Sequence, residues 1–190
     1  MSDSRVMLRN VRLAFPVLNE PEQFQGSGPY RYSATLLIPS SDTAQLDNVK
    51  KAMRAAAAAK FGEEKADAAV KALTAANKVA LGNGDNKADY DGFEGCMFVS
   101  AHSRDNAPPK LLDGQRNELP RSTGTIYAGC MVNASVEFWG QANEYGKRIN
   151  AQIRGVQFAG DGDAFAASRP ASADEFDVVE GAEATDADFA

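Results

Sequence analysis

At 190 residues, 44% of them hydrophobic, and with a formal net charge of −6, the chain suits one domain plus an appendage. No stretch approaches the ~18 consecutive apolar residues of a membrane helix. Residues 1–10 lack the apolar run and small-residue cleavage site of a signal peptide, so the expectation is a cytoplasmic chain without membrane contact.

Residues 6–15 predict a first strand: Val11, Leu13 and Phe15 alternate with Arg12 and Ala14, and Pro16 ends the run. Residues 19–29 are Pro- and Gly-rich and read as loop. In the second strand, 30–38, Tyr30, Tyr32, Ala34, Leu36 and Ile38 share one face, which makes both tyrosines core residues. Arg31, Ser33 and Thr35 share the other.

Helix follows. Asp42 with Gln45 three residues on has the capping-box spacing. Leu46, Val49, Met53 and Ala56 keep helical spacing up to a stop at Gly62. A second helix is expected over about 63–76, the pair covering one end of a sheet. Residues 82–86 read as a loop, 93–103 as a third strand, and 104–122 as a long polar loop carrying Arg104, Lys110, Arg116 and Arg121.

The clearest pattern comes last. Within 125–139, Cys130, Val132, Ala134, Val136 and Phe138 alternate with Met131, Asn133, Ser135, Glu137 and Trp139. After a turn at 140–146, the strand 147–158 sets Ile149, Ala151 and Ile153 against Arg148, Asn150, Gln152 and Arg154. This is a hairpin with one apolar face and one polar, basic face. Five strands and an inserted helical pair predict a mainly β domain over residues 1–160, a small barrel or sandwich.

Charge is segregated along the chain. Residues 161–190 hold nine acids against one base, Arg169, while residues 1–160 hold nineteen bases against seventeen acids. The first segment is too charged and too poor in large apolar residues to offset its ordering entropy, and a disordered tail is expected. The body is mildly basic, and a groove within it can be strongly so.

Trp139 is the chain's single tryptophan, and strand parity places it on the polar face near Tyr145, Lys147 and Arg148. Rings flanked by cations are what an unpaired nucleic-acid strand needs, since bases stack and phosphates release counterions. Arg31, Arg154, Arg12 and Lys110 complete the candidate DNA-binding set. A Trp at a strand end can equally cap the core, because a bulge there breaks parity. An acidic tail tethered to a basic groove can occupy it as a DNA mimic, or act only as a solubiliser.

Catalytic motifs are absent: neither a P-loop, nor H-E-x-x-H, nor G-x-S-x-G occurs. Ser100, His102, Ser103 and Arg104 read as a strand end entering a loop. Cys96 and Cys130 lack zinc-site spacing and read as buried thiols, and His102 alone reads as structural. No metal, cofactor or enzymatic activity is expected.

The runs 11–21, 32–39, 98–103, 111–113 and above all 127–165, "YAGCMVNASVEFWGQANEYGKRINAQIRGVQFAGDGDAF", resemble phage-encoded single-stranded DNA-binding proteins, long catalogued as a domain of unknown function. The resemblance spans most of residues 5–165. It implies a five-stranded OB-like barrel and sequence-independent binding of single-stranded DNA. It also implies a role in phage or prophage replication and recombination, in the host cytoplasm. The tail would recruit replication or recombination proteins through Asp186, Asp188 and Phe189, although Phe189 is penultimate rather than terminal. A tail seated in a neighbour's groove would favour a homodimer. The helices departs from the usual OB arrangement, falling between the second and third strands rather than the third and fourth. The competing expectation is a phage structural or assembly protein with a solubilising tail and no affinity for oligonucleotides.

Overall fold

A computed structural model describes residues 3–165. The architecture is mainly β and OB-like. Five strands build the barrel: β1 (Arg5–Phe24), β2 (Ser27–Pro39), β4 (Cys96–Arg104), β6 (Met131–Asn143) and β7 (Gly146–Gly160). Two three-residue strands, β3 (Leu81–Asn83) and β5 (Lys110–Leu112), bring the sheet to seven, in the order β3-β4-β2-β1-β6-β7-β5. Strands this short carry no readable alternation, which is why the five-strand expectation lacked them.

β1 serves both halves of the barrel. Its first part pairs with β6 and its second with β2, and the ladders break between Leu8 and Val11 and between Ala14 and Val17. Asn10 and Phe15 sit at those breaks with φ of 51° and 47°. Such bulges bend a strand and let it turn a corner. The barrel closes through the segment before β3. Ala80 N–H donates to Ile149 O at 2.9 Å and Ile149 N–H to Lys78 O at 3.0 Å, while Ser100 N–H on the other side donates to Ala80 O at 3.0 Å. The segment thus joins β4 to β7.

The expected loop at 19–29 is instead a continuation of β1 into a hairpin with β2, turning at Gln25 and Gly26, both with left-handed φ. That two-residue geometry matches strand twist and lets Pro- and Gly-rich sequence stay extended. The turn at 140–146 likewise shrinks to Glu144 and Tyr145, because β6 and β7 stay paired as far as Asn143 and Gly146. The third strand begins at Cys96 rather than 93, and Phe93 is buried beside it.

Helix α1 (Thr43–Phe61) starts at Asp42, whose carboxylate accepts the Gln45 N–H at 3.1 Å. Gln45 also clamps the Arg9 backbone from both sides, accepting its N–H at 2.7 Å and donating to its O at 3.0 Å. The helix end is therefore tied to the first bulge. Leu46, Val49, Met53 and Ala56 are buried in the main core with Val136, Phe138 and Ile149. Close approach depends on Gly140, where a Cβ would lie 2.5 Å from the Lys60 Cβ. A 3-10 turn, Glu63–Lys65, replaces the start of the expected second helix, leaving α2 as Ala66–Ala75.

A smaller cluster lies outside the barrel: Ala14, Leu37, Phe93, Ala128 and Phe165. Its last member belongs to the stretch expected as tail. Arg12 places its guanidinium 4.4 Å from the Phe165 ring centre and donates to the carbonyls of Asp163 at 2.6 Å and Gly129 at 3.3 Å. The packed body therefore reaches Phe165 rather than stopping at 160. The remaining tail, with Asp186, Asp188 and Phe189, lies outside the described residues.

Candidate nucleic-acid interface

The register of β6 and β7 sets Trp139 opposite Asn150 and Gln141 opposite Arg148. The same alternation that buries Val136 and Phe138 turns Trp139 outward, 41% exposed. Asn150 Nδ2 donates to Gln141 Oε1 at 2.9 Å, which ties the outer faces of the two strands together. Across the closure, β2 and β4 pair Arg31 with Arg104 and Ser33 with His102.

Between these two strand pairs runs a cleft of about 550 Å³. Tyr30 and Arg31 line it from β2, His102 and Arg104 from β4, Trp139 and Gln141 from β6, and Arg148 and Asn150 from β7; Asp105 is its acidic member. Among the described residues, ion pairs form at Arg5, Lys50, Arg54 and Arg154, and none at Arg31, Arg104 or Arg148. Three guanidiniums without carboxylate partners and two exposed rings thus share one open cleft. Planar cations of this kind match phosphate oxygens with paired donors.

Two further depressions continue the cleft. One of about 520 Å³ runs under the β1–β2 hairpin past Phe24 and Glu22, and one of about 410 Å³ runs along β3 past Lys87. Phe24 is 78% exposed at the hairpin tip.

Of the residues expected at the site, Trp139, Arg148 and Arg31 come together in the cleft. Tyr145 and Lys147 stand at the tip of the β6–β7 hairpin, Tyr145 80% exposed and Lys147 with its Nζ 5.7 Å from the Phe61 ring centre. Arg12, Lys110 and Arg154 are not brought to the cleft. Arg12 holds the 161–165 segment, and Lys110 lies in β5, which pairs with β7 through Gly155. Arg154 donates to Glu137 Oε2 at 2.7 Å, and Arg5 donates to the same oxygen at 3.1 Å. Burial pushes the Glu137 carboxyl up, but the hydrogen bonds and charges of both arginines outweigh it and hold the group below the ordinary carboxylate range.

Tyr30, at 53% exposure, corrects the expectation that it is core, while Tyr32 is buried as expected. Arg121 lies over the Tyr32 ring at 5.0 Å and donates to the carbonyls of Pro109, at 2.6 Å, and Leu18, fixing the long loop after β4. Tyr30, His102 and Arg104 line the cleft, and Phe24 the depression beside it, outside the set the sequence pattern picked out. Cys130 is buried and Cys96 only partly so; burial pushes both thiols up.

A family described as "Enterobacter phage Enc34, ssDNA-binding protein" matches residues 4–190. Putative protein p50 of Acyrthosiphon pisum secondary endosymbiont phage 1 is 39% identical over 180 residues, covering 94% of this chain and 96% of its own. The single-stranded DNA-binding protein from bacteriophage Enc34, solved in complex with ssDNA, is 29% identical with a TM-score of 0.73, over 85% of this chain and 89% of that one. Gp2.5, a single-stranded DNA-binding protein encoded by bacteriophage T7, is 14% identical with a TM-score of 0.56, over 94% of this chain and 100% of that one. That last likeness speaks to the fold alone.

Proposed function

The chain belongs to the phage single-stranded DNA-binding family typified by Enterobacter phage Enc34, and from that premise we propose that it holds unpaired DNA in the Trp139–Arg148 cleft without regard to sequence. One observation carries this: the cleft sets the rings of Trp139 and Tyr30 among Arg31, Arg104 and Arg148. Bases of any identity present a π-face to such rings, and phosphates take the cations. Tyr145 lies beyond the cleft at the hairpin tip, while Lys147 takes the other face of β7 from Arg148 and sits beside Phe61.

The experiment uses the single tryptophan as its own reporter. Adding unlabelled oligo-dT to the full-length protein is expected to quench Trp139 fluorescence saturably, with single-stranded DNA competing better than duplex. A titration without quenching and without complex formation in a gel shift would remove the proposal.

The acidic tail gives a second arm to the same function. It competes with DNA for the basic cleft and, once displaced, offers Asp186, Asp188 and Phe189 to replication or recombination proteins. Seated in a neighbour's cleft, it would support a homodimer. Truncation belongs after Phe165, since residues 161–165 are packed on the body. Removing 166–190 deletes seven acids and one base. The truncated protein is expected to bind oligo-dT several-fold more tightly at low salt, the gap closing as salt screens the competition. Equal or weaker binding by the truncated chain would show that the tail does not compete.

A further inference from the structure

Histidine occurs once in this chain, at position 102. The alternation of β4 buries Val99, Ala101 and Ser103, and leaves Ser100 and His102 on the outer face. His102 lines the central cleft and both depressions that extend it. It is the point at which the three meet, so a strand that runs from one into another passes over it. Arg31 lines the central cleft and the depression under the β1–β2 hairpin; Arg148 lines the central cleft and the depression along β3.

We propose that Arg31, His102 and Arg148 form a phosphate seat where the backbone of an unpaired DNA strand crosses the barrel, and that His102 takes up a proton as the phosphate arrives, so that single-stranded DNA binds more tightly as the pH falls below neutrality. This rests on the reading of the cleft as the DNA site. With the cleft open, burial first, and then the positive charges of Arg31 and Arg148, hold the imidazole below its ordinary range. The neutral imidazole is thereby favoured. Carboxylates of a seated tail would relieve part of that repulsion. A phosphodiester brings one negative charge and carries no titrating proton in this range. Placed among the three side chains, it cancels the repulsion from both guanidiniums and accepts a hydrogen bond from the imidazolium.

The other charges along the three depressions support an anion there. Arg104 on β4 and Lys87 after β3 add positive charge, against Asp105 beyond β4 and Glu22 on β1. With Arg31 and Arg148 that makes four bases and two acids around one histidine. The sign follows from linkage. The bound state holds the proton more tightly than the free state, so affinity rises as the pH falls between the two titration midpoints and is flat outside them. One proton limits the slope to about tenfold per pH unit.

The decisive measurement is calorimetric titration of the full-length protein, and of the chain ending at Phe165 so that tail carboxylates are removed from the reference state, with unlabelled oligo-dT at constant ionic strength between pH 7.5 and 5.5. Thymine does not protonate there, and no second histidine contributes. Affinity is expected to rise about three- to tenfold over that range, with His102→Gln showing no such rise. The imidazole proton resonance of the one histidine reports the same event directly: its titration midpoint is expected to move up when oligo-dT is bound. A pH-independent affinity, an equal rise in His102→Gln, or a midpoint unmoved by DNA would each overturn the proposal while leaving the cleft as a DNA site. Absence of binding at every pH would overturn both.

Discussion

Replacing Phe138 by alanine is expected to cost about 3–5 kcal/mol of folding stability, while the same change at Trp139 leaves stability almost untouched and weakens oligo-dT binding by about 1–3 kcal/mol. The two residues are neighbours on β6, so the contrast isolates face rather than location. Phe138 is 1% exposed and belongs to the main core with Val136, Ile149 and the α1 side chains. Its removal leaves a cavity that the barrel and the helix, already in contact at Gly140, cannot easily close. Against a typical total of about 5–15 kcal/mol, that loss brings the fold near its limit. Trp139 turns its ring to the cleft, and truncation there removes a stacking surface without opening the core. Urea unfolding followed by circular dichroism reads the first effect in both variants, since fluorescence is lost in one of them; competition with unlabelled oligo-dT reads the second. Comparable destabilisation by Trp139→Ala would make the tryptophan a core cap, and unchanged affinity would remove it from the site.

The opposite faces of Phe138 and Trp139 were legible in the alternation of β6, although the pattern left open whether Trp139 stacks on bases or caps the core. The five barrel strands and the helix start at Asp42 were legible for the same reason: period and cap are local. Tyr30 shows where local pattern stops. It has the parity of Tyr32, Ala34 and Leu36, and parity alone made it core. But parity names a face, not what covers it. Beyond Tyr32 the β1–β2 pair leaves the barrel as a free hairpin, and Tyr30, opposite Gln23, has no core to face. Leu37 is the converse case: it points away from the barrel yet is buried, because Phe93 and Phe165 arrive from distant parts of the chain to cover it. The cations divide on the same principle. Arg12, Arg31, Arg148 and Arg154 all read as basic residues on polar faces. The partners that engage two of them, the Asp163 carbonyl for Arg12 and the Glu137 carboxylate for Arg154, are brought near only by folding.

This division of the arginines has a measurable consequence in salt. Affinity for oligo-dT is expected to fall linearly on a double-logarithmic plot against salt concentration, with a slope of about 0.7 for each phosphate neutralised on a single strand. Changing Arg31 and Arg148 together to glutamine is expected to make that slope shallower by about 1.4 and to lower affinity by roughly tenfold or more at low salt. Neither side chain supports the fold through an ion pair among the described residues, so the unfolding midpoint should hold. Arg154→Gln is expected to do the opposite. It leaves Glu137 with Arg5 as its remaining ion-pair partner, lowers stability modestly, and barely moves the salt slope. The comparison separates two ways in which a basic β surface attracts DNA. Contact by particular guanidiniums makes the slope depend on which arginine is removed. A diffuse positive field would make all of these arginines interchangeable, and equal slopes for the double variant and Arg154→Gln would require abandoning the cleft as the place where phosphates are held.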